Sequence, residues 1–574
     1  MTIGRRPLLI ASVSGVGVLS GGLASFWDSN RSIAATEHVA RSNTFPKIPI
    51  GMNLAPIADW EPGFPFRNLF LGARPWLTRN LIRSGPHDTK LQGSFQFDRD
   101  GYPLQVPVAS PDSSEPQTVF TYLPNCREPG NYILLYDGEG DIDGVAATKV
   151  ISRKPGRLKL KMSQNSQSYE GLVIKRSVLG NHIRNIRLVR EYDETIDLNE
   201  SPFLPEFLEF CRPFHCLRFM EWGQTNNSLE ENWETRKRPT FYTMVGKSGD
   251  PEATYGPAPT PFEMKFSGGV SIELMVQLCN TLKTDPWFCI PHRATDDYIA
   301  KFARLVRETL DPGLKVYLEY SNEVWNWGFH QAGWMLRSPL AGAIVEMNGG
   351  NAWKDDKKLE GVGHPERIGA LFRRTFSIWE REWSGNAQRR LTRVCAVQAA
   401  WFDASKRTIQ WCLDHGGADA VSPASYVGPD NAIYEKWSAQ GKDLTPEMVI
   451  NDIKAVIQSL RSSGSLAQTI AFGKQHGLTY VAYEAGQHIQ AKDQIELPYS
   501  PALAAAQTHP EMYDLYVELL RLNRDLGCTL LSHFNSVGRQ GTRWGSWGAK
   551  ASYDAPLKDS PKMRALLDCN VTRN

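Results

Sequence analysis

"VYLEYSNEVWNWGF", residues 316–329, begins as a buried strand and ends as something else. Val316, Leu318 and Tyr320 suit a sheet interior, whereas Asn322 and Glu323 do not, and Trp325, Trp327 and Phe329 follow at once. The same texture recurs on both sides of it. "HCLRFMEW" (215–222) and "WFCIPH" (287–292) precede it, and "TRVCAVQA" (392–399), "ADAVSPASY" (418–426), "LTYVAYEAG" (478–486) and "CTLLSHFNS" (528–536) follow. Helical patterns separate them at 271–285, 296–310, 367–383, around 405–415, at 445–476 and at 510–527. Strand alternating with helix predicts a parallel sheet with right-handed crossovers. Seven such strands and one more close a (β/α)8 TIM barrel, an α/β fold. "IPIGMNLAPI" (48–57) is the first candidate for the missing strand and "IRNIRLV" (183–189) the second.

Residues 85–190 read differently. Short β-type runs ("LQVPV", "TVFTYLP", "NYILLYDG", "LKLKM", "GLVIK") are divided by turn signals such as "REPGN", "GEGDIDG" and "KPGR", with no helical period. That predicts a β-sandwich N-terminal to the barrel or inserted in it. The expected organisation is therefore 1–34 as a signal peptide or membrane anchor, 48–84 as first barrel strand and connection, 85–182 as accessory sandwich, and 183–574 as barrel. The N-terminus carries Arg5 and Arg6 ahead of an uncharged stretch from Pro7 to Trp27. This is the n-region and h-region of an export signal, with Ser32-Ile33-Ala34 as a cleavage site; an uncleaved anchor is the second reading.

The chain has 574 residues, 64 basic and 62 acidic, for a net charge of +2, so composition offers nothing to a nucleic acid. Its 17 Trp, 19 Tyr and 24 Phe are an aromatic excess of the kind sugar-handling proteins carry, since flat apolar rings suit the C–H faces of sugars, with core packing accounting for most of them. Nine cysteines leave at least one unpaired within the chain. Cys279, Cys289, Cys395, Cys412 and Cys528 lie in apolar segments and read as buried thiols. Cys211 and Cys216 lack a second pair, and no metal site and no cofactor is expected.

Barrels present reactive groups at the C-terminal ends of their strands. Those ends hold Arg218 and Glu221, His292, Asn322 and Glu323, Tyr426, Glu484, and the aromatic run "RWGSWG" (543–548). Two glutamates from different strands at one mouth are the pair that glycosidic cleavage uses, one acid for the leaving oxygen and one carboxylate opposite. Glu319 shares parity with Glu323 and is expected inside the barrel as a satisfied core residue.

Arg218, His292, Asn322-Glu323, Tyr426, Glu484 and a late tryptophan resemble, in order, the functional set of the retaining glycoside hydrolases of clan A. "GMNLAPIADW", "EYSNEVWN" and "YEAGQH" also resemble a secreted bacterial branch with this barrel. The resemblance covers 48–84 and 183–565. It implies Glu323 as acid/base and Glu484 as nucleophile, with Asn322 on the sugar 2-hydroxyl and Arg218 and Tyr426 flanking the nucleophile. His292, Trp325, Trp544 and Trp547 complete the expected substrate contacts. Trp325 and Trp327 are expected as apolar walls keeping Glu323 protonated, and Arg218 as the cation keeping Glu484 ionised. The competing reading is a non-catalytic carbohydrate-binding or cell-surface protein on the same barrel.

Overall fold

The computed structural model describes residues 45–82, 87–125, 128–163, 169–249, 258–337, 363–461, 464–542 and 545–573. The expected signal at 1–34 and Trp544 lie outside the described residues.

The barrel is present and closed. Its strands are Ile50–Asn53 (β1), Cys216–Arg218 (β2), Asp285–Ile290 (β3), Val316–Tyr320 (β4), Leu391–Val397 (β5), Ala420–Pro423 with Ser425–Val427 (β6, in two segments), Thr479–Gln487 (β7) and Cys528–His533 (β8). Each pairs in parallel with the next; Ala420↔Thr479 and Ser425↔Ala485 join both segments of β6 to β7, and Met52↔His533 closes β1 onto β8. Strands buried on both faces read as near-continuous apolar runs, and β1 is buried at all four positions.

The crossovers carry the amphipathic helices Ile272–Leu282, Asp296–Thr309, His364–Glu382 and Phe402–Asp414, then Met512–Asp525. The stretch 445–476 is two helices, Pro446–Leu460 and Ser465–Gln475. Thr445 caps the first by accepting from Met448 N, and Gly464, at φ +141°, sits ahead of the second. Short helices such as Pro205–Cys211, Pro261–Lys265 and His330–Arg337 have no counterpart in the sequence pattern above.

Between β1 and β2 in the chain lie two four-stranded antiparallel sheets. One orders Leu77–Asn80, Gln117–Tyr122, Glu170–Ser177 and Gly140–Ala146; the other orders Lys149–Lys154, Arg157–Met162, Gly130–Asp137 and Arg184–Arg190. "IRNIRLV" thus falls in the second sheet, against Gly130–Asp137. "GEGDIDG", read as a turn, contributes most of a strand because Ile142 and Val145 are buried against Glu170–Ser177. "LQVPV" makes only isolated bridges at Val106 and Val108. One continuous apolar core runs from these sheets through the barrel, and a small second cluster forms around Phe120, Tyr122, Val145 and Val173. The eight described cysteines are all buried and unpaired.

Candidate active site

The mouth is shaped by two local departures from regular strand. After β4, Ser321 and Glu323 adopt left-handed φ values of +56° and +42°, which carry Asn322 and Glu323 out of the ladder. The second departure is a bulge in β7: Ala482 pairs with Leu531 and Ala485 with His533, so Tyr483 and Glu484 together face one residue of β8. Regular alternation would send these two side chains to opposite faces. The extra residue lets both reach the mouth, where each bonds to a site residue.

Arg218, fully buried at the end of β2, is the hub. Its Nε and Nη2 donate to Glu319 Oε2 and Oε1 at 2.9 Å each, and Nη2 also donates to Asn322 Oδ1 at 2.8 Å. Nη1 donates to Asn53 Oδ1 at 2.9 Å and to Glu484 Oε1 at 2.7 Å. Glu319 is enclosed in the barrel interior and accepts from Trp287 Nε1 at 2.8 Å as well. Glu484 receives a second bond at Oε2, from the Tyr426 hydroxyl at 2.9 Å. Glu323 accepts from the Tyr483 hydroxyl at Oε1 and from Asn326 Nδ2 at Oε2, both at 2.8 Å.

The charge balance corrects the expectation for Glu484. Burial pushes its carboxyl up to about 8; Arg218 pulls it down, the Glu323 charge pushes it further up, and the Tyr426 bond lowers it. Arg218 lowers it both by its charge and through its hydrogen bond, but burial outweighs that pull. Tyr426 and Tyr483 are held far above the usual phenol range, first by burial and then by the carboxyls beside them, so both remain donors. Glu221, at the barrel rim, is pushed up to about 7 by burial.

Asn322 is almost fully enclosed. Its Nδ2 donates to Asn226 Oδ1 at 3.0 Å, and its carbonyl accepts from Gln331 Nε2 at 2.8 Å. His292, also buried, lies edge-on to Trp334 with centroids 5.5 Å apart, and its carbonyl accepts from the Tyr320 hydroxyl at 2.9 Å. Trp325 packs edge-on to Tyr483 at 6.3 Å. Trp327, expected beside Glu323, is 46% exposed and stacks on His364 at 5.0 Å. Trp547 joins Tyr426 through two rings absent from the expected set. His488 lies 5.7 Å from each, and Phe534 lies 6.4 Å from Tyr426 and 6.2 Å from Trp547. Asn53, Tyr483, Asn326 and Gln331 also belong to the site without having been singled out. Tyr483 and His488 are the first and last residues of the quoted "YEAGQH", and Asn326 follows Glu323 by three, so proximity to a glutamate was the signal that pointed to them.

Among the described residues, no group of three or more His, Cys, Asp and Glu is arranged to hold a metal ion, and no helix is long and apolar enough to cross a membrane. The chemistry on offer is a pair of carboxyls from β4 and β7, electrostatically coupled, each oriented by donors.

No protein-family model matches the chain, and no curated protein does. Solved structures similar to it include a GH5-4 broad specificity endoglucanase from Clostridium acetobutylicum, at 11% identity and TM-score 0.30, over 65% of this chain and 93% of that one. A Bacteroidetes-affiliated GH5 cellulase matches at 11% and 0.31, over 64% and 87%. A hyperthermostable endo-1,4-beta-D-mannanase from Thermotoga petrophila matches at 11% and 0.29, over 63% and 94%. Likeness at that level carries no argument here, and the barrel rests on its own strand order.

Proposed function

We propose that this chain is an exported glycoside hydrolase that cleaves β-linked oligo- or polysaccharides with retention of anomeric configuration. Glu484 attacks the anomeric carbon, and Glu323 passes its proton to the departing glycosidic oxygen. Water, deprotonated by Glu323, then releases the sugar from the Glu484 ester. The observation that carries this reading is the paired geometry. Glu484 is gripped by Arg218 and Tyr426, while Glu323 is gripped from the same β7 segment by Tyr483. A binding groove has no need of a buried carboxyl coupled to a half-buried one, since that enclosure costs free energy. In this reading Asn322 serves the sugar 2-hydroxyl, Trp325 and Trp547 provide sugar platforms, His292 is a further contact, and Trp544 is assigned from the sequence alone. Arg218, having no exposed surface, acts from beneath the nucleophile. Export rests on the N-terminal segment with Arg5 and Arg6, and the two antiparallel sheets serve as an accessory β-sandwich.

The test is a screen of β-glucans, β-mannans, xylans and aryl β-glycosides with wild type, Glu323→Ala and Glu484→Ala. Each substitution is expected to lower kcat/KM on an unactivated substrate by about 10³-fold or more. NMR of the first-formed anomer reads retention. Hydrolysis that survives both substitutions would end the assignment, and an inverted first product would end the retaining mechanism.

A further inference from the structure

We propose that Tyr483 is a positioning residue for Glu323, holding the proton-donating carboxyl in register with the nucleophile that follows it in the chain. The proposal rests on the reading of Glu323 as acid/base. Three observations support it. First, the Tyr483 hydroxyl donates to Glu323 Oε1 at 2.8 Å, from a ring that is 1% exposed. A phenol enclosed to that degree incurs a desolvation cost unless its hydroxyl is bonded, whereas phenylalanine fills the same space without one. Second, the ring is itself held: Arg218 Cζ lies 5.0 Å above it, Trp325 meets its edge, and Asn53 Nδ2 donates to the Tyr483 carbonyl at 3.0 Å. A donor this well fixed passes its position on to its acceptor. Third, the bulge in β7 is what turns Tyr483 and Glu484 to the same mouth. One short segment therefore carries the attacking carboxyl and the clamp on the opposing one.

Glu323 needs such a clamp. It sits past the end of β4 at φ +42°, on a turn closed by Asn326 N donating to its carbonyl at 2.8 Å, so no neighbouring strand fixes its side chain. Asn326 Nδ2 holds Oε2 from that same turn. Tyr483 is the contact that ties Oε1 to the far side of the barrel.

The experiment compares Tyr483→Phe with wild type on phenyl and 2,4-dinitrophenyl β-glucosides, β-galactosides and β-mannosides. Departure of phenol depends on the general acid; departure of 2,4-dinitrophenolate does not. The expected result is a fall of about 10–100-fold in kcat/KM for the phenyl glycoside and less than about 3-fold for its activated partner. Equal losses on both, or none on either, overturn the proposal. A second arm needs no turnover: in protein labelled with [5-13C]glutamate, the Glu323 resonance, assigned with Glu323→Gln, is expected to move in Tyr483→Phe while that of Glu484 stays. An unmoved Glu323 resonance overturns the proposal on its own. Should Tyr483→Phe fail to fold, Tyr483→Met, which also lacks the hydroxyl, is expected to show the same leaving-group split, and its absence overturns the proposal. Failure of the underlying reading looks different, because Glu323→Ala would then hydrolyse the phenyl glycoside as wild type does.

Discussion

Arg218 stands between two carboxylates and pulls Glu484 down against the burial that raises it. Glu319 takes the guanidinium through both oxygens in a fully buried pair, while Glu484 receives one bond from it. The consequence is measurable as a pH dependence. Glu484 must be ionised to attack and Glu323 protonated to donate, so the kcat/KM of the free enzyme is expected to follow a bell, one limb of which reports the raised carboxyl of Glu484. Glu319→Gln removes one negative charge from Arg218 while keeping the shape. The sign follows directly: an uncancelled cation favours the charged form of Glu484, lowers its pKa and moves the limb that reports it to lower pH, by about one to two units. A pH–rate profile of the two proteins checks this, and an unmoved limb would show that burial alone sets Glu484.

At the scale of elements, the mouth is assembled by contacts between segments far apart in the chain. Gln331, on helix His330–Arg337 and fully buried, is a three-way clasp. Its Nε2 donates to the Asn322 carbonyl and to Asn226 Oδ1, each at 2.8 Å, and its Oε1 accepts from Asn227 N at 3.0 Å. That ties the loops after β2 and β4 to one helix. Gln331→Leu leaves three buried polar groups without this partner and is expected to cost about 1–3 kcal/mol in chemical denaturation. It should also lower kcat/KM by about tenfold through the loosened Asn322; wild-type stability would show that the clasp holds nothing. The clasp marks the limit of what the sequence made legible. The barrel could be read because each of its strands is an apolar run bounded by polar residues, as in Val316–Tyr320 followed by Ser321-Asn322-Glu323. Glu323 and Glu484 stood out because they interrupt such runs. Gln331 could not be read, since a glutamine on a short helix has no pattern to break and its partners lie in two other loops. The bulge at Tyr483 was hidden for a similar reason, as strand register depends on the neighbouring strand and not on the run itself. Gly140–Ala146 was hidden by its own composition: glycines and aspartates that favour turns are overruled by seven paired positions against Glu170–Ser177.

For the whole molecule, the question is whether the antiparallel sheets and the barrel fold as one. Their junction is built on Tyr242, in the long loop after β2. It stacks on Trp76 at 4.9 Å and 14°, its hydroxyl accepts from Trp76 N at 3.0 Å, and its own N donates to Asp100 O at 3.0 Å. Beside it, Thr243 Oγ1 donates to Ala73 O at 2.5 Å, and Met244 N donates to Leu71 O at 2.7 Å. Asp59, in the loop after β1, adds a two-point grip on Arg74 at 3.0 and 2.6 Å. The loop after β2 also carries Asn226, the partner of Asn322, so this junction and the mouth share one segment of backbone. Apolar packing continuous across such a junction makes the two parts unfold together. Wild type is therefore expected to give a single calorimetric transition in which calorimetric and van't Hoff enthalpies agree. Tyr242→Ala removes a ring buried against Trp76, Phe70 and Phe266 and should cost about 3–5 kcal/mol. It is also expected to split the transition in two, with the sheets melting first and the barrel near its original temperature. Two transitions already in wild type would mean that the sheets are an independent unit whose contacts with the loop after β2 contribute little, and that the mouth owes them nothing.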